Sequence, residues 1–577
     1  MYPHINPTET FRERHLLLLT EAEDQRRAGR LPGERLRGER LGAPKAARAS
    51  GPPQTQRKER EMNQEIDNRT GGTKWLSTKT LLGACLMVIA TLLGGLTQAP
   101  PANAATTFTV NLTADTSDAN LSNAACDVNP AASGKQCTLR AAIEQANATA
   151  VADTIRFAIP GTTGVKTISP TTSLPFITEQ VTIDGYTQPG AHPNTKAIGN
   201  DAALKIQLDG TNAGGSGLEI TNSSNSVIKG LVINRFGVAG IAVGGASVAN
   251  RIEGNFIGTN PAGTIDRGNV GGDAVAIFDG PSETVVGGTT PAARNVLSGN
   301  GDTGVFTTNS NANRIQGNYV GTDKSGTKDL GNEDGGLFII NAQDTIVGGN
   351  TVASRNVVSG NGFHGIGIAG TGFGNRVVGN LVGTTASGTG ALGNDLDGLV
   401  IGNSSNHVGD GTPLGANTIA FNGQDGIRIQ GGTGNYISRS SIFSNGGLGI
   451  DLSGGVEDAM GRTANDLGDT DTGSNSLQNS PVITSAKTVS GKTTIEGTLN
   501  TTPNEDFDIE FYSNPTGGNE GKIYIGDTFG TTDPDGNVTF TFTPTTAVAA
   551  GQTITAVSHN SLGDTSEFSV PRTVASS

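Results

Sequence analysis

The stretch IEGNFIGTNPAGT (residues 252–264) occurs twice more in altered form, as IQGNYVGTDKSGT (315–327) and VVGNLVGTTASGT (377–389), at intervals of 63 and 62 residues. A second series alternates with it at intervals of 61 residues: VVGGTTPAARNVLSGNG (285–301), IVGGNTVASRNVVSGNG (346–362) and HVGDGTPLGANTIAFNG (407–423). A repeated unit of this length is typical of stacked architectures, in which each unit buries its apolar face against its neighbours. The repeat therefore predicts a solenoid.

Short apolar triplets mark the strands of this solenoid. They have a period of two and are too short to form a hairpin meander. Successive triplets begin 21 to 34 residues apart, so each sixty-residue unit has room for two coils of three strands and three turns. The prediction is an all-β fold, a right-handed parallel β-helix over residues 161–455. The triplets are LEI at Leu218, IAV at Ile241, VAI at Val275, VFT at Val305, LFI at Leu337, IGI at Ile366, LVI at Leu399, IRI at Ile427 and LGI at Leu448.

Asparagines recur at matching positions of the coils. Asn tolerates the left-handed conformation that turns need, and stacked Asn side chains can hydrogen-bond to one another from coil to coil. We interpret them as structural ladder and turn residues. They are Asn255, Asn295, Asn318, Asn356, Asn380 and Asn417.

Residues 62–104 have the features of a secretory signal peptide. Two lysines precede an apolar run from Leu81 to Leu96, and a small-x-small sequence places the expected cleavage between Ala104 and Ala105. The run is short for a membrane span, so no permanent span is expected after cleavage, with a retained anchor as the alternative. Residues 1–61 are predicted to be a disordered extension, or to lie upstream of a true start at Met62. The predicted location is secreted or cell surface.

The charge of the chain excludes some partners. Of 39 basic and 53 acidic residues, 16 and 11 lie in residues 1–104, which leaves a net charge of −19 for the remainder. An acidic chain without a basic stripe is a poor nucleic-acid binder, so no nucleic-acid partner is expected. The same charge disfavours polyanions such as pectate unless metal ions intervene.

Residues 105–160 are predicted to form a cap on the solenoid. TFTVNL (107–112) predicts a strand, and CTLRAAIEQANA (137–148) predicts a short helix with Thr138 as its N-cap. A helix across the open end of a solenoid covers exposed strand edges. Cys126 and Cys137 are separated by ten residues, and in an oxidising compartment we expect a disulfide between them. Two free buried thiols are the alternative.

The segments TFTVN, CTLRAAI and DTIRF, together with the two cysteines, resemble the N-terminal module named CSLREA. This module is found on exported bacterial proteins with right-handed parallel β-helix repeats of the pectin-lyase-like fold. The loops that begin at Gly258, Gly321 and Gly383 are similar to those of the family's repeats. This chain departs from the module at Thr138, where the module has Ser, and at Ala141, where it has Glu. The resemblance implies an exported location and a β-helical shape, since the family has no common established activity.

The C-terminal region predicts a different domain. About seven short alternating strands in residues 481–577 are typical of an immunoglobulin-like (Ig-like) β-sandwich, which an acidic linker, residues 456–480, joins to the solenoid. The linker places oxygen-bearing side chains on alternate residues around a glycine, a spacing that predicts a Ca²⁺ site. A solvated acidic linker is the alternative. The candidate ligands are Asp466, Asp469, Asp471 and Asn475.

Catalysis on this fold would require carboxylates clustered on one strand face. The candidates are Asp334 in NEDGGL, Asp395 and Asp397 in NDLDGL, and His364 in GFHGIGI, a string similar to the GHG of polygalacturonases. All four fall at turn positions of the internal repeat, so the repeat itself accounts for them. Aromatic platforms for sugars are also scarce. Phe256 and Tyr319 alternate with Leu381 at one repeat position, which we predict to face the core.

The sequence thus favours an exported structural, adhesive or polysaccharide-associated protein without catalysis. Its expected partners are extracellular polysaccharide or cell-envelope components. The alternative is a carbohydrate-active enzyme of the pectin-lyase-like fold, such as a polysaccharide lyase, a glycoside hydrolase or an epimerase.

Overall fold

A computed structural model describes residues 105–161 and 164–576 of the protein. The predicted signal peptide (62–104) and the extension (1–61) lie outside the described residues. None of the helices in the described part of the chain is long and apolar enough to cross a membrane.

Thirty short strands form the solenoid, and each pairs in parallel with the equivalent strands of the coils above and below it. In chain order they are β1 Thr107–Val110, β2 Asp153–Phe157, β3 Lys166–Ile168, β4 Val181–Asp184, β5 Ile206–Asp209, β6 Leu218–Thr221, β7 Val227–Lys229, β8 Leu231–Asn234, β9 Ala239–Gly244, β10 Arg251–Glu253, β11 Phe256–Ile257, β12 Asp273–Phe278, β13 Val285–Gly287, β14 Val296–Leu297, β15 Val305–Thr308, β16 Arg314–Gln316, β17 Tyr319–Val320, β18 Leu337–Ile340, β19 Ile346–Gly348, β20 Val357–Val358, β21 Ile366–Ala369, β22 Arg376–Val378, β23 Leu381–Val382, β24 Leu399–Ile401, β25 His407–Val408, β26 Thr418–Ala420, β27 Ile427–Ile429, β28 Tyr436–Ile437, β29 Ser441–Phe443 and β30 Ile450–Leu452.

These strands make three parallel sheets, so the predicted parallel β-helix is confirmed. Sheet A has 11 strands, in the order β1-β2-β4-β7-β10-β13-β16-β19-β22-β25-β28. Sheet B has 10 strands and runs from β3 to β29, and sheet C has 9 strands and runs from β6 to β30. Sheet A already includes β1 and β2, which lie before the predicted solenoid boundary at residue 161.

The predicted triplets form sheet C, and their register follows the repeat. Leu218 pairs with Ile241, Ile241 with Val275, and so on to Ile427, so that these residues stack inside the solenoid and are fully buried. The last triplet was predicted two residues too early: Ile427 pairs with Ile450, and the strand reads IDL from Ile450 instead of LGI from Leu448. The final coil is shorter than most of the others, so the spacing between coils did not locate this strand.

The predicted asparagine ladder is present. Each side chain donates through Nδ2 to the Oδ1 of its counterpart in the next coil, for example from Asn318 to Asn356 at 3.1 Å and from Asn356 to Asn380 at 2.9 Å. Corresponding ladders occupy the other two corners of the coil, between sheets B and C (Asn269 to Asn445) and ahead of sheet A (Asn375 to Asn435), where Asn475 accepts the N–H of Asn435 at the end of the series. Buried amides with every group bonded hold the turns in register without leaving unpaired polar groups.

Sheet B carries a second apolar layer on its outer face. Ile257, Val320 and Val382 point into the solenoid core. Phe256, Tyr319 and Leu381 belong to a separate buried cluster on the opposite side of the same strands. The prediction that these three residues face the core is therefore wrong, because the Gly-Thr loops that follow the strands fold back and cover them: Gly263 and Gly326 approach the Phe256 and Tyr319 rings closely.

The N-terminal end of the solenoid is closed by helix α1, Leu139–Asn147. Thr138 caps this helix as predicted, since its Oγ1 accepts the N–H of Ala141 at 3.1 Å. Leu139, Ala142, Ile143 and Ala146 are buried in the core cluster. The predicted disulfide between Cys126 and Cys137 is present, with Cα atoms 5.2 Å apart. Short 3-10 turns lie at Leu121–Asn123, Gly185–Thr187, Pro291–Ala293 and Ser474–Leu477.

The C-terminal domain contains two four-stranded sheets, β35-β32-β31-β38 and β34-β33-β36-β37, in which most strands pair antiparallel. This arrangement fits the predicted Ig-like β-sandwich. Its strands are β31 Val482–Val489, β32 Lys492–Asn500, β33 Asp506–Asn514, β34 Ile523–Thr531, β35 Asn537–Phe542, β36 Thr553–His559, β37 Arg572–Thr573 and β38 Ala575–Ser576.

The sandwich closes the C-terminal end of the solenoid by bonding to the last strand of every sheet. In sheet A the Ile437 N–H donates to Thr565 Oγ1 at 2.9 Å. In sheet B, Ile442 and Gly521 exchange two backbone hydrogen bonds of 2.8 and 2.9 Å. In sheet C the Leu452 N–H donates to Glu567 Oε1 at 2.9 Å. Backbone groups that would otherwise lie open at the solenoid end are thereby satisfied.

Candidate functional site

His364 and Asp397, two of the catalytic candidates, occupy the same turn position in successive coils, two residues before the first inward residue of β21 and β24. Asp425 holds this position ahead of β27. Here the side chain of one coil accepts a hydrogen bond from a backbone N–H of the next: Asp397 N–H donates to His364 Nδ1 (3.2 Å) and Asp425 N–H to Asp397 Oδ1 (2.9 Å). We call this series the turn ladder.

The turn ladder also has members elsewhere along sheet C. Leu448 N–H donates to Asp425 Oδ1 at 2.7 Å, and in an earlier pair of coils Thr303 N–H donates to Asp273 Oδ1 at 3.1 Å. The interpretation of His364 as a repeat turn position is therefore confirmed.

The other two candidates lie apart from this pair. Asp334 belongs to an earlier coil, and its backbone N–H donates to the Asp302 carbonyl at 3.1 Å. Asp395 is exposed, and its backbone N–H donates to the Asn361 carbonyl at 2.9 Å. Only Asp397 and His364 of the four candidates therefore come together.

An arginine that the sequence analysis did not select stands at the centre of the acids. Arg428 lies on the outer face of β27, next to Asp451 of β30 in the register of sheet C. Its guanidinium contacts Asp425, lies 2.9 Å from Asp451 through Nε and lies 3.4 Å from Asp397 Oδ2 through NH1. We call Arg428, these three aspartates and His364 the arginine cluster. The available signal was Arg428 itself, the single basic residue at the centre of a triplet in this series.

The electrostatics of the arginine cluster follow from shared burial. Burial opposes the charge of Asp397, but His364 and the Arg428 charge outweigh it and hold the pKa of Asp397 below its ordinary value. Burial lowers the pKa of Arg428, and the three carboxylates outweigh this and raise it. Burial and the neighbouring charge of Asp425 raise the pKa of Asp451 to about 6. Glu567 of the sandwich, also buried, has a pKa of about 7.

The arginine cluster does not line the cavity nearest to the end of the solenoid. A cavity of about 260 Å³ lies between the last coil and the sandwich, and it is lined by Leu448, Ile450, Met460 and Phe568 among others, without a member of the cluster. The Asp397 side chain is 0% exposed and that of Asp425 8%. A substrate would therefore have to displace Arg428 to reach either carboxylate.

The linker brings three of the four predicted calcium ligands together. Asp466, Asp469 and Asp471 each place one oxygen within 4.8 Å of the others. Among the described residues, Asp466 Oδ1 and Asp471 Oδ1 are inaccessible to solvent and lack a hydrogen-bond partner. Burial, together with the charges of Asp471 and Asp466, raises the pKa of Asp469 to about 6. Oxygen ligands with excess negative charge are those that Ca²⁺ prefers.

Asn475 does not belong to this group. Its Oδ1 accepts the Asn435 N–H at 3.0 Å and its Nδ2 donates to the Asn435 carbonyl at 2.8 Å, so it ends the ladder ahead of sheet A. The prediction of Asn475 as a metal ligand is wrong, because the ladder uses both polar atoms of its side chain.

Comparisons with known proteins give similarity at the level of fold. No family model matches the chain, and no curated protein matches it. The resemblance to the CSLREA module therefore stays a prediction.

Several solved structures of low sequence identity are similar. The A-module of a mannuronan C-5 epimerase from Azotobacter vinelandii is 16% identical, covers 60% of this chain and 78% of the module, and has a TM-score of 0.36. A periplasmic alginate epimerase is 14% identical over 55% of this chain and 67% of its own, with a TM-score of 0.28. The enzymatically active domain of tailspike protein 2 of bacteriophage CBA120 is 12% identical over 74% and 73%, with a TM-score of 0.24. These values support no statement about activity, and the β-helix assignment rests on the strand pairing of this chain.

Proposed function

We propose that this protein is an exported β-helix protein, secreted or held at the cell surface, that associates with polysaccharide or envelope material without converting it. The observation that carries the proposal is the turn ladder. Two of the four positions where catalytic groups were sought, His364 and Asp397, are used to bond one coil to the next.

The chemistry of glycoside hydrolysis supports this proposal. A hydrolase needs one carboxylic acid to protonate the leaving oxygen and a second carboxylate, within about 5 to 10 Å, to attack or to activate water. Asp397 accepts the Asp425 N–H through Oδ1 and pairs with Arg428 through Oδ2. Oδ2 makes no hydrogen bond, but it lies 3.4 Å from Arg428 NH1 and 3.2 Å from His364 Nδ1. A carboxylate enclosed between these groups, with no exposed surface, is unsuited to either role.

The alternative, a carbohydrate-active enzyme, rests on Asp451. Its side chain is 17% exposed, and a pKa of about 6 is suited to a general acid. Its carboxylate nevertheless lies against Arg428. In addition, no second carboxylate among the described residues is assigned that would complete a hydrolytic pair with it.

The two functions are distinguished by a turnover assay. The purified protein is incubated with alginate, polygalacturonate and neutral polysaccharides, and the products are analysed for reducing ends, unsaturated uronates and changed uronate stereochemistry by NMR. We expect no conversion above a heat-inactivated control. Conversion that is lost in Asp451→Asn, with an unchanged circular dichroism spectrum, contradicts the proposal.

Export is tested separately. The full chain is expressed in a bacterial host, and the N-terminus of protein recovered outside the cytoplasm is determined by mass spectrometry. We expect it to begin at Ala105. Unprocessed protein retained in the cytoplasm contradicts the export part of the proposal.

A further inference from the structure

The outer face of sheet A carries a straight row of side chains that run along the solenoid axis. In the register of the sheet, Arg251 pairs with Val285, Val285 with Arg314, Arg314 with Ile346 and Ile346 with Arg376. The row continues through His407 of β25 to Tyr436 of β28. One residue from each of seven consecutive strands therefore lies in one line, which we call the sheet A track.

The arginines in this line are exposed and separated by apolar residues. Arg251, Arg314 and Arg376 are exposed, whereas Val285 and Ile346 between them are half-buried. Neighbouring strands lie about 4.8 Å apart, so arginines in alternate coils are spaced by roughly 9 to 10 Å. The sheet thereby holds positive groups at a fixed interval, with Val285 and Ile346 between them.

Two of the guanidinium groups are available for a ligand. Arg251 pairs with Glu253 at 2.8 Å. Arg314 and Arg376 have no carboxylate within 4.0 Å in residues 105–161 and 164–576. Glu283 and Asp344 lie nearby, in the turns that precede β13 and β19, two residues before Val285 and Ile346. They border the track without pairing with it.

The end of the sheet A track that adjoins the sandwich offers rings. His407 and Tyr436 lie with their ring centroids 6.0 Å apart, and the Tyr436 ring also packs on His559 of the sandwich with centroids 4.7 Å apart, so the exposed His407 is the ring open to a ligand. Burial and the Arg376 charge lower the pKa of His407, which is therefore a neutral ring at neutral pH. Sugar faces stack on such rings, and planar guanidinium groups bind carboxylates in bidentate fashion.

We propose that the sheet A track binds a linear polysaccharide containing uronic acids, laid along the solenoid axis with its carboxylates on Arg314 and Arg376 and a sugar ring on His407. In an extended polysaccharide with two-fold symmetry, the carboxylates on one side recur at every second sugar. This interval is close to the distance between arginines in alternate coils. This inference rests on the proposed function and names the class of polysaccharide. The negative net charge of the chain opposes the binding of such a polyanion only weakly, since exposed charges are screened beyond about 8 Å at physiological salt.

Binding is measured by affinity electrophoresis and calorimetry of the purified protein with alginate and polygalacturonate, against neutral dextran and dextran sulfate. We expect binding to the two polyuronates and none to dextran. Arg314→Gln combined with Arg376→Gln should weaken binding roughly fourfold to twenty-fivefold, from about two- to fivefold for each exposed charge pair.

A matched control removes two exposed cations from the loops over sheet B, through Arg267→Gln and Lys328→Gln. It changes the net charge equally and should leave binding within about twofold. Glu283→Gln combined with Asp344→Asn should strengthen binding, because it removes the acids that border the track.

Equal loss in the control pair, equal binding of dextran, or tight binding of dextran sulfate without polyuronate overturns the inference. Each of these outcomes leaves the absence of turnover intact, so failure of the inference is distinguishable from failure of the proposed function.

Discussion

Replacing Arg428 by methionine removes the cation that Asp397, Asp425 and Asp451 share. Methionine preserves most of the apolar stem, so the change is chiefly one of charge. Three buried or half-buried carboxylates then face one another without a counter-ion. Breaking a buried ion pair by removing one partner costs about 3–5 kcal/mol, because the remaining charge stays desolvated. We expect a loss of this size in the free energy of unfolding at neutral pH.

The sign of the pH dependence tests the cause. In the native protein the lowered pKa of Asp397 contributes stability above the unfolded pKa, and this contribution is lost as the pH falls through the lower folded value. Without Arg428, Asp451 loses the charge and the hydrogen bond that oppose its burial, so its pKa rises further, the penalty exists at neutral pH and it disappears as acid protonates the group. The difference in the free energy of unfolding between the native protein and Arg428→Met should therefore shrink near pH 4 to 5. About 1–2 kcal/mol should remain, which is the part due to lost hydrogen bonds.

The assay is urea unfolding followed by circular dichroism at both pH values. Arg314→Met, at an exposed arginine without an ion pair among the described residues, is the matched control and should change stability by less than about 0.5 kcal/mol. Adding Asp397→Asn to Arg428→Met should restore part of the loss. A loss of equal size at both pH values, or one below about 1 kcal/mol, refutes the reasoning.

Three further outcomes are expected. Asn318→Ala removes side-chain hydrogen bonds to Val286, Asn295 and Asn356 and should lower the free energy of unfolding in urea by about 2–4 kcal/mol. The control Asn350→Ala, at an exposed turn, should leave it almost unchanged. Equal effects of the two variants contradict the ladder. Reducing the Cys126–Cys137 disulfide, which closes a separation of 11 residues, should lower stability by about 3 kcal/mol, and a Cys126→Ala/Cys137→Ala variant should be insensitive to reductant. Ca²⁺ should release heat in calorimetry and stabilise the protein. Asp469→Asn should abolish the heat and should raise the stability measured in chelator, because the raised pKa of Asp469 signals a charge that folding disfavours at neutral pH. An absence of heat at millimolar Ca²⁺ contradicts the calcium prediction.

The sequence was most informative where one rule repeats. The stacking of Ile241, Val275 and Leu337 could be predicted because an inward residue recurs once per coil. The same holds for the asparagine ladder, in which each member meets its own counterpart. His364 was interpreted correctly for this reason, since neighbouring coils place Asp397 and Asp425 at the same turn.

Prediction failed where structure depends on contacts outside the repeat. Phe256 and Tyr319 were placed in the core because their strands do not reveal which face a following loop covers. Arg428 was overlooked because its partners come from three different coils. Asn475 was assigned to the acidic linker by its position in the sequence, although it completes a ladder that begins far upstream.

The hydrogen bonds from the sandwich to the last strand of each sheet determine whether the molecule remains a discrete particle. A parallel β-helix ends in three strands whose outer backbone groups could accept another chain, and stacked solenoids of this kind are the geometry of a growing fibril. Thr565, Gly521 and Glu567 occupy those groups, one in each sheet. Because helix α1 still closes the other end, proteolytic removal of the sandwich would open one end only, and trimmed molecules could join in pairs through that end but could not grow into a fibril.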